Sequence, residues 1–219
     1  LSIYLYHRGS GLLEWFHGRG YPAGSEELVR LKVGQGAVGW VAEHKEALII
    51  DERSNSGGQA ANYIIEVLSR MHLSGWKDRD GMIYNTPAGA VHGPKLMMID
   101  QDADSAGDYL PYTFRLAGIG KLLGTRTWGG LIGIYANPDL MDGGRLTVPF
   151  FRFFDPEGNW SVENEGVAPD IEVPLDPLAY NRGTDSQLEA AIEEILSQLE
   201  GYDSGVMQTA PPLPTELGE

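Results

Sequence analysis

Cysteine is absent from the 219-residue chain, which excludes disulfides, thiolate metal sites and a cysteine nucleophile together. Positive charge is scarce: 16 Lys and Arg stand against 31 Asp and Glu, a formal net charge of −15. Such a surface repels phosphate backbones and anionic headgroups, so nucleic acid and membrane are excluded as default partners. No apolar run approaches the roughly 18–20 residues that a membrane span needs. There is no HExxH pair, no EF-hand loop and no Walker loop. The acidic run Asp100-Gln101-Asp102-Ala103-Asp104 lacks the glycine and terminal glutamate of a calcium loop and reads as a solvated loop. No metal and no cofactor are therefore expected. The first residues, Leu1 to Tyr6, carry no basic region and no small-residue cleavage site, so no signal peptide and a cytoplasmic location are expected. They open inside a strand pattern without Met, which reads as a fragment of a longer chain.

What is present is enough apolar side chain for a sizeable core: 42% hydrophobic and 10% aromatic residues place the chain among globular proteins. Alternation at Ser2–Tyr6, turn chemistry at Arg8-Gly9-Ser10-Gly11 and the apolar Leu12–Phe16 predict a β-hairpin, with Leu28–Val33 as a further strand. A short helix is expected over Ala37–His44. From Gln59 to Leu73, apolar residues at Ala60, Tyr63, Ile64, Val67, Leu68 and Met71 follow the i, i+3, i+4 rhythm of a helix with one buried face. Ser74–Gly93, with Lys77, Asp78, Asp80, Gly81 and Pro87, reads as an irregular loop. Lys95–Ile99 is an unbroken apolar-rich run, as a strand covered on both faces requires. A helix running through Thr113–Gly118 follows, then short strands at Lys121–Thr125 and Leu131–Tyr135 and a β segment within Leu146–Phe154. Asp185–Glu200 is an amphipathic helix with Asp185 or Thr184 as N-cap and Gly201 as its stop. Gly201–Glu219, with Pro211, Pro212 and Pro214, reads as a mobile tail. Alternating β and α units indicate an α/β fold.

Three blocks bear on chemistry. Asp104-Ser105-Ala106-Gly107-Asp108 places a serine between an apolar strand and a helix, where unpaired backbone N–H groups can bind an anion. Gly124-Thr125-Arg126-Thr127-Trp128-Gly129-Gly130 follows it. Val162-Glu163-Asn164-Glu165-Gly166-Val167-Ala168-Pro169-Asp170 comes third. Upstream, Asp51-Glu52-Arg53-Ser54-Asn55-Ser56-Gly57-Gly58 supplies a glycine-rich turn after a strand. Read on its own, Ser105 is as good a helix N-cap as a nucleophile, and Glu163 as good a solvated loop acid as a catalytic one.

Together these blocks resemble the carboxy-terminal catalytic half of tricorn-type serine peptidases, relatives of the C-terminal-processing peptidases, over about residues 49–199. The resemblance implies a mixed sheet with flanking helices, of the ClpP/crotonase-like peptidase type. It implies Ser105 as nucleophile, the backbone N–H groups of Gly58 and Ala106 as oxyanion hole, and Glu163 as the acid that orients polar partners around the serine. The implied partner is a peptide substrate; self-association into a homo-oligomer is left open. The family's histidine base comes from upstream of the glycine turn. His7, His17 and His44 lie upstream here but outside its motif, and His92 matches an HGPK turn that is not catalytic. The processing peptidases use a lysine after the nucleophile. Arg126 stands in the corresponding block and stays protonated, so it cannot serve as a base.

Residues 1–50 resemble the first half of a GAF domain, a small-ligand sensor module, through VGQGAVGWVAEH and the following Ala47-Leu48-Ile49-Ile50. The expected organisation is a GAF-like half domain over 1–50, a peptidase half over 48–200 and a tail over 201–219. With no linker between the first two, Leu48–Asp51 is expected to pair with Lys95–Ile99 and the N-terminal hairpin to continue the same sheet. Function is expected to be acyl transfer to and from Ser105 by a serine peptidase core lacking its general base. The alternatives are a non-enzymatic small-ligand sensor and an artificial fusion with no evolved activity.

Overall fold

The computed structural model describes residues 47–87, 90–136, 138–206 and 209–212, together with strands β1 (Ile3–His7), β2 (Leu12–His17) and β3 (Arg30–Lys32). The expected turn at Arg8–Gly11, the helix over Ala37–His44 and the end of the tail lie outside the described residues. β1 and β2 pair antiparallel, Tyr6 opposite Leu13, as the hairpin pattern requires. β2 also pairs antiparallel with β3. These three strands form a sheet of their own, so the hairpin does not continue the sheet that carries Leu48–Asp51.

The organising element is a four-stranded sheet built from β4 (Leu48–Asp51), β7 (Lys95–Ile99), β8 (Lys121–Gly124) and β11 (Ile171–Glu172), in the order β11-β8-β7-β4. Every pairing in it is parallel. The expected mixed sheet is thus corrected: among the described residues, the antiparallel pairs lie in separate sheets. The expected pairing of Leu48–Asp51 with Lys95–Ile99 is present, with Ile50 opposite Met97. Only Ile50 of β4 is fully buried, because β4 lies at the end of the strand order.

β7 shows why such a sheet needs helices on both faces. All five of its residues are buried, and successive side chains point to opposite sides. Met97 and Ile99 enter one core, with Leu122 of β8 and with Leu110 and Phe114 of helix α2 (Ala106–Leu116). Helix α1 (Ala61–Leu68) lies on this side through Ala61, Ile64, Ile65 and Leu68. Leu96 and Met98 enter the other core, with Leu123 and with Ala191 and Ile195 of the C-terminal helix (Ser186–Leu199). The result is a helix–sheet–helix sandwich. α1 is shorter than the apolar rhythm of Gln59–Leu73 predicts: the Ser69 hydroxyl bonds back to Ile65 O at 2.7 Å and closes the helix.

Ser74–Gly93 is not the expected irregular loop. β5 (Ser74–Lys77) and β6 (Ile83–Thr86) form an antiparallel hairpin, with Trp76 opposite Tyr84. Its polar composition hid the pattern, because neither face of the hairpin is deeply buried. β9 (Gly133–Ala136) and β10 (Thr147–Phe151) form a second ribbon. All of β10 is exposed despite its apolar sequence, since among the described residues its one strand partner is β9. The short helix α3 (Pro177–Asn181) has Asp176 as N-cap and Pro at its first turn, a start signal the sequence reading passed over. The C-terminal helix, α4, begins at the expected Asp185 cap, whose side chain accepts from Leu188 N at 3.0 Å.

Arg53 ties the two ends of the sandwich together. Its guanidinium grips both Asp51 oxygens (2.9 and 2.8 Å) and both Asp185 oxygens (3.1 and 2.8 Å). Burial opposes the charge on Arg53, yet the two carboxylates outweigh burial and hold it above the ordinary guanidinium range. Described parts of the tail lie against the body. Tyr202 donates its hydroxyl to His92 O at 2.5 Å, and Thr209–Pro212 share a cavity with His72, Trp76 and Ile83.

Candidate active site

The site sits where parallel strands end and helices begin, the usual place for ligands in such sheets. β7 runs into the Asp100–Asp104 turn and then into α2. This turn is not simply solvated: Ala103 is fully buried, Asp100 accepts from Ser54 N at 2.8 Å, and Asp104 N donates to Asn55 O at 3.0 Å. The acidic residues therefore anchor the glycine-turn segment that follows β4.

Ser105 is the residue before α2, with φ 56° and ψ −117°. A positive φ is strained for a residue bearing a Cβ, and strain of this kind clusters at functional turns. The side chain forms no capping hydrogen bond, which removes the simple N-cap reading. Instead the backbone carries the turn: Ser105 N donates to Gly130 O at 3.1 Å, and Ser105 O accepts from Asp108 N and Tyr109 N. The hydroxyl has no hydrogen-bond partner among the described residues.

The glycine turn lies directly over the serine. A Cβ added at Gly57 would sit 2.6 Å from Ser105 Cβ, 2.8 Å from Ser105 Oγ and 2.9 Å from Ala106 N. The close approach to Ser105 is thus made by Gly57; a Cβ on Gly58 would meet open space. The two N–H groups differ in the opposite sense. Gly57 N donates to Asn55 Oδ1 at 3.0 Å and is occupied. Gly58 N and Ala106 N, the latter at the first position of α2, have no acceptor among the described residues. Gly107 is equally constrained, because a Cβ there would collide with Asn55 O.

The block after β8 is held by a carboxylate that the sequence reading did not single out. Asp108, fully buried in the first turn of α2, accepts from Thr127 Oγ1 at 2.5 Å, Gly129 N at 2.8 Å and Gly130 N at 2.9 Å. Thr127 Oγ1 in turn accepts from Val167 N at 2.8 Å. Acids are common in first helical turns, so nothing in SAGD alone marks Asp108 as this clamp.

Glu163 is half-buried in a strained turn, with Val162 at φ 70° and Asn164 at φ 63°. One oxygen, Oε2, accepts from Leu131 N and Ile132 N, both at 2.7 Å. Asn164 N donates to Gly129 O at 2.7 Å. Glu163 therefore fixes the segment next to Gly130, whose carbonyl receives Ser105 N. No hydrogen bond joins Glu163 to Ser105 itself among the described residues. Arg126 points elsewhere, donating to Glu165 O at 3.1 Å. His72 and His92 pack edge to face beside the β5–β6 hairpin, and neither bonds to Ser105. His7 and His17 fall on β1 and β2; His44 lies outside the described residues.

An uncapped, strained serine at a strand-to-helix turn, with two vacant backbone N–H groups beside it, defines an α/β protein of the serine-hydrolase type. The comparison with family models makes this specific: residues 35–173 match the peptidase family S41 model. The chain belongs to peptidase family S41, in its tricorn-type branch. It is 39% identical over 158 residues to the tricorn protease of Thermoplasma volcanium, covering 72% of this chain and 15% of that one. The tricorn protease of Thermoplasma acidophilum is 32% identical over 209 residues, covering 94% and 19%. A crystal structure of the tricorn protease matches with TM-score 0.67 at 37% identity, covering 71% of this chain and 15% of that one. The chain thus spans less than a fifth of the length of these relatives. The longer match takes in most of residues 1–50, and the family model begins at residue 35. No helix among the described residues is long and apolar enough to cross a membrane.

Proposed function

We propose that the chain is a serine-type peptidase core that cleaves peptide bonds by acyl transfer through Ser105. The observation that carries this reading is the pairing of a partner-free Ser105 hydroxyl with the vacant N–H groups of Gly58 and Ala106. Ser105 Oγ attacks the peptide carbonyl carbon and its proton passes to a base. The former carbonyl oxygen becomes an oxyanion and takes hydrogen bonds from Gly58 N and Ala106 N, at the positive end of α2. Collapse of this intermediate breaks the C–N bond, and the amine leaves with a proton from the conjugate acid of the base. Water then hydrolyses the acyl-Ser105 ester by the same path.

Glu163 supports this geometry through the backbone of Leu131 and Ile132, keeping Gly130 O where Ser105 N needs it. The base comes from outside the matched stretch, about residues 49–199, in keeping with the absence of any hydrogen bond to Ser105 Oγ among the described residues. The working unit is residues 48–200, with 1–50 as a GAF-like half domain and 201–219 as a tail. A peptide is the substrate class. Labelling with a fluorophosphonate, read by mass spectrometry, tests the assignment: a single adduct on Ser105, lost in Ser105→Ala, is expected. Absence of any adduct on Ser105, with tight binding of a small ligand instead, would favour the sensor reading.

A further inference from the structure

Glu52 is a buried ionisable group for which the acyl-transfer steps have no use. It follows β4 directly, is only 2% exposed, and its backbone N–H donates to Met98 O in β7 at 3.0 Å. Its Oε1 accepts from Asn55 Nδ2 at 2.6 Å. The other end of the same amide, Asn55 Oδ1, accepts from Gly57 N at 3.0 Å. Asn55 O accepts from Asp104 N, next to Ser105, and packs against Gly107. A carboxylate is thus linked by one amide to the glycine that lies over Ser105.

We propose that Glu52 is a positioning residue for the Gly57–Gly58 turn, selecting through its protonation state which end of the Asn55 amide faces Gly57. The chemistry follows from donor and acceptor capacity. An ionised carboxylate can only accept, so it holds Nδ2 and leaves Oδ1 to draw in Gly57 N. That occupies the Gly57 N–H and leaves the Gly58 N–H as the available donor. A protonated Glu52 can donate its O–H to Oδ1 of a flipped amide. Nδ2 would then face Gly57 N, donor against donor, and the turn has to rotate.

Both forms are accessible near neutrality. Burial pushes Glu52 up to about 7, with the Asp51 and Asp100 carboxylates adding to it and the Asn55 bond opposing it. The acidic groups around it add to the effect of burial. Asp51 lies on β4, and Asp100 and Asp104 on the turn after β7. Among the described residues, the Arg53 guanidinium next along the chain is engaged by Asp51 and Asp185.

The link to catalysis rests on the peptidase reading; the relay itself does not, and the experiment separates the two. Amide resonances of Gly57 and Gly58 in the full ¹⁵N-labelled chain are followed from pH 5 to 9. The expected result is a common transition near pH 7 in the wild type that disappears in Glu52→Gln. In Asn55→Ala, the Glu52 carboxyl resonance still titrates while Gly57 no longer responds to it. Flat glycine amides in the wild type, or an unchanged transition in Glu52→Gln, overturn the proposal. Fluorophosphonate labelling of Ser105 supplies the functional arm. Glu52→Leu should slow it by about 10²-fold through misplacement of the turn. Glu52→Gln should restore the rate and lose the wild-type pH step attributable to Glu52. If wild-type Ser105 is not labelled at all, the nucleophile assignment fails, and the glycine amides still decide the relay.

Discussion

Asp108 Oδ1 and Thr127 Oγ1 lie 2.5 Å apart in the interior, and the same carboxylate closes on the N–H groups of Gly129 and Gly130. One buried side chain therefore joins the helix that begins after Ser105 to the loop whose carbonyl accepts Ser105 N. Asp108→Ala leaves these donors without an acceptor, and each unsatisfied buried group costs about 1–3 kcal/mol. A loss of about 3–5 kcal/mol is expected in urea unfolding, the range for breaking a buried charged network. A loss below about 1 kcal/mol would mean that the clamp is dispensable.

Gly57 and Gly58 should respond differently to a methyl group. Gly57→Ala places a Cβ within 3 Å of Ser105 and of Ala106 N, so Ser105 labelling should be abolished and stability reduced. At Gly58 only the positive φ of 126° resists substitution, at about 1 kcal/mol. Gly58→Ala should therefore retain most of the labelling, because the N–H is kept. Equal effects at both positions would contradict the geometry of the turn.

The buried Glu52 also predicts a pH dependence of stability. Burial raises its carboxyl from the ordinary 4.5 to about 7. Below pH 4.5 both folded and unfolded chains carry the proton, and the full contribution is present. Between pH 4.5 and 7 the unfolded chain ionises first, so stability falls by about 1.4 kcal/mol per pH unit, for a total near 3 kcal/mol. Above pH 7 the curve is level. Glu52→Gln should lack this component, and the wild-type minus Glu52→Gln difference, measured by urea unfolding at pH 4, 6 and 8, isolates it. A difference independent of pH would refute the linkage.

Turnover of fluorogenic peptides by the chain alone should be weak. General-base catalysis is worth about 10²–10⁴-fold, and oxyanion stabilisation and positioning are what remain without it. Robust turnover abolished by Ser105→Ala would reveal a base among His7, His17 and His44.

Limited proteolysis should leave residues 47–58 uncut, because β4 is paired along its length with β7 and Arg53 is bound to Asp51 and Asp185. Early cuts are expected after Gly201. Prompt release of two stable pieces by a cut near Asp51 would show that the strand is a linker between modules.

The elements legible in the sequence were those whose pattern is local. Lys95–Ile99 is a run of a kind that only a doubly covered strand needs, and the alternation of its residues between two cores follows from the period of a strand. The Asp185 cap and the apolar stripe of Ser186–Leu199 are likewise one-dimensional signals, as was the placement of Ser105 just before a helix. The β5–β6 hairpin escaped because its residues gain little burial and so need no apolar alternation. Antiparallel pairing within the Lys95 sheet was expected and not found, because strand direction is set by the crossovers, which carry no residue-level mark.

The site divides in the same way. Residue type and order placed Ser105 and Ala106 at a helix start; Gly58 and Glu163 came from the resemblance to tricorn-type peptidases, because a glycine turn and a loop acid are by themselves common. Which groups occupy which partners was decided only in three dimensions. Gly57 rather than Gly58 lies over the serine because Asn55, held by Glu52, draws in its N–H. Asp108 is a clamp rather than a first-turn acid because Thr127, Gly129 and Gly130 converge on it from about twenty residues away. Glu163 reaches Leu131 and Ile132 rather than the serine. Hydrogen bonds between segments distant in sequence depend on distance and direction, and no spacing along the chain encodes either.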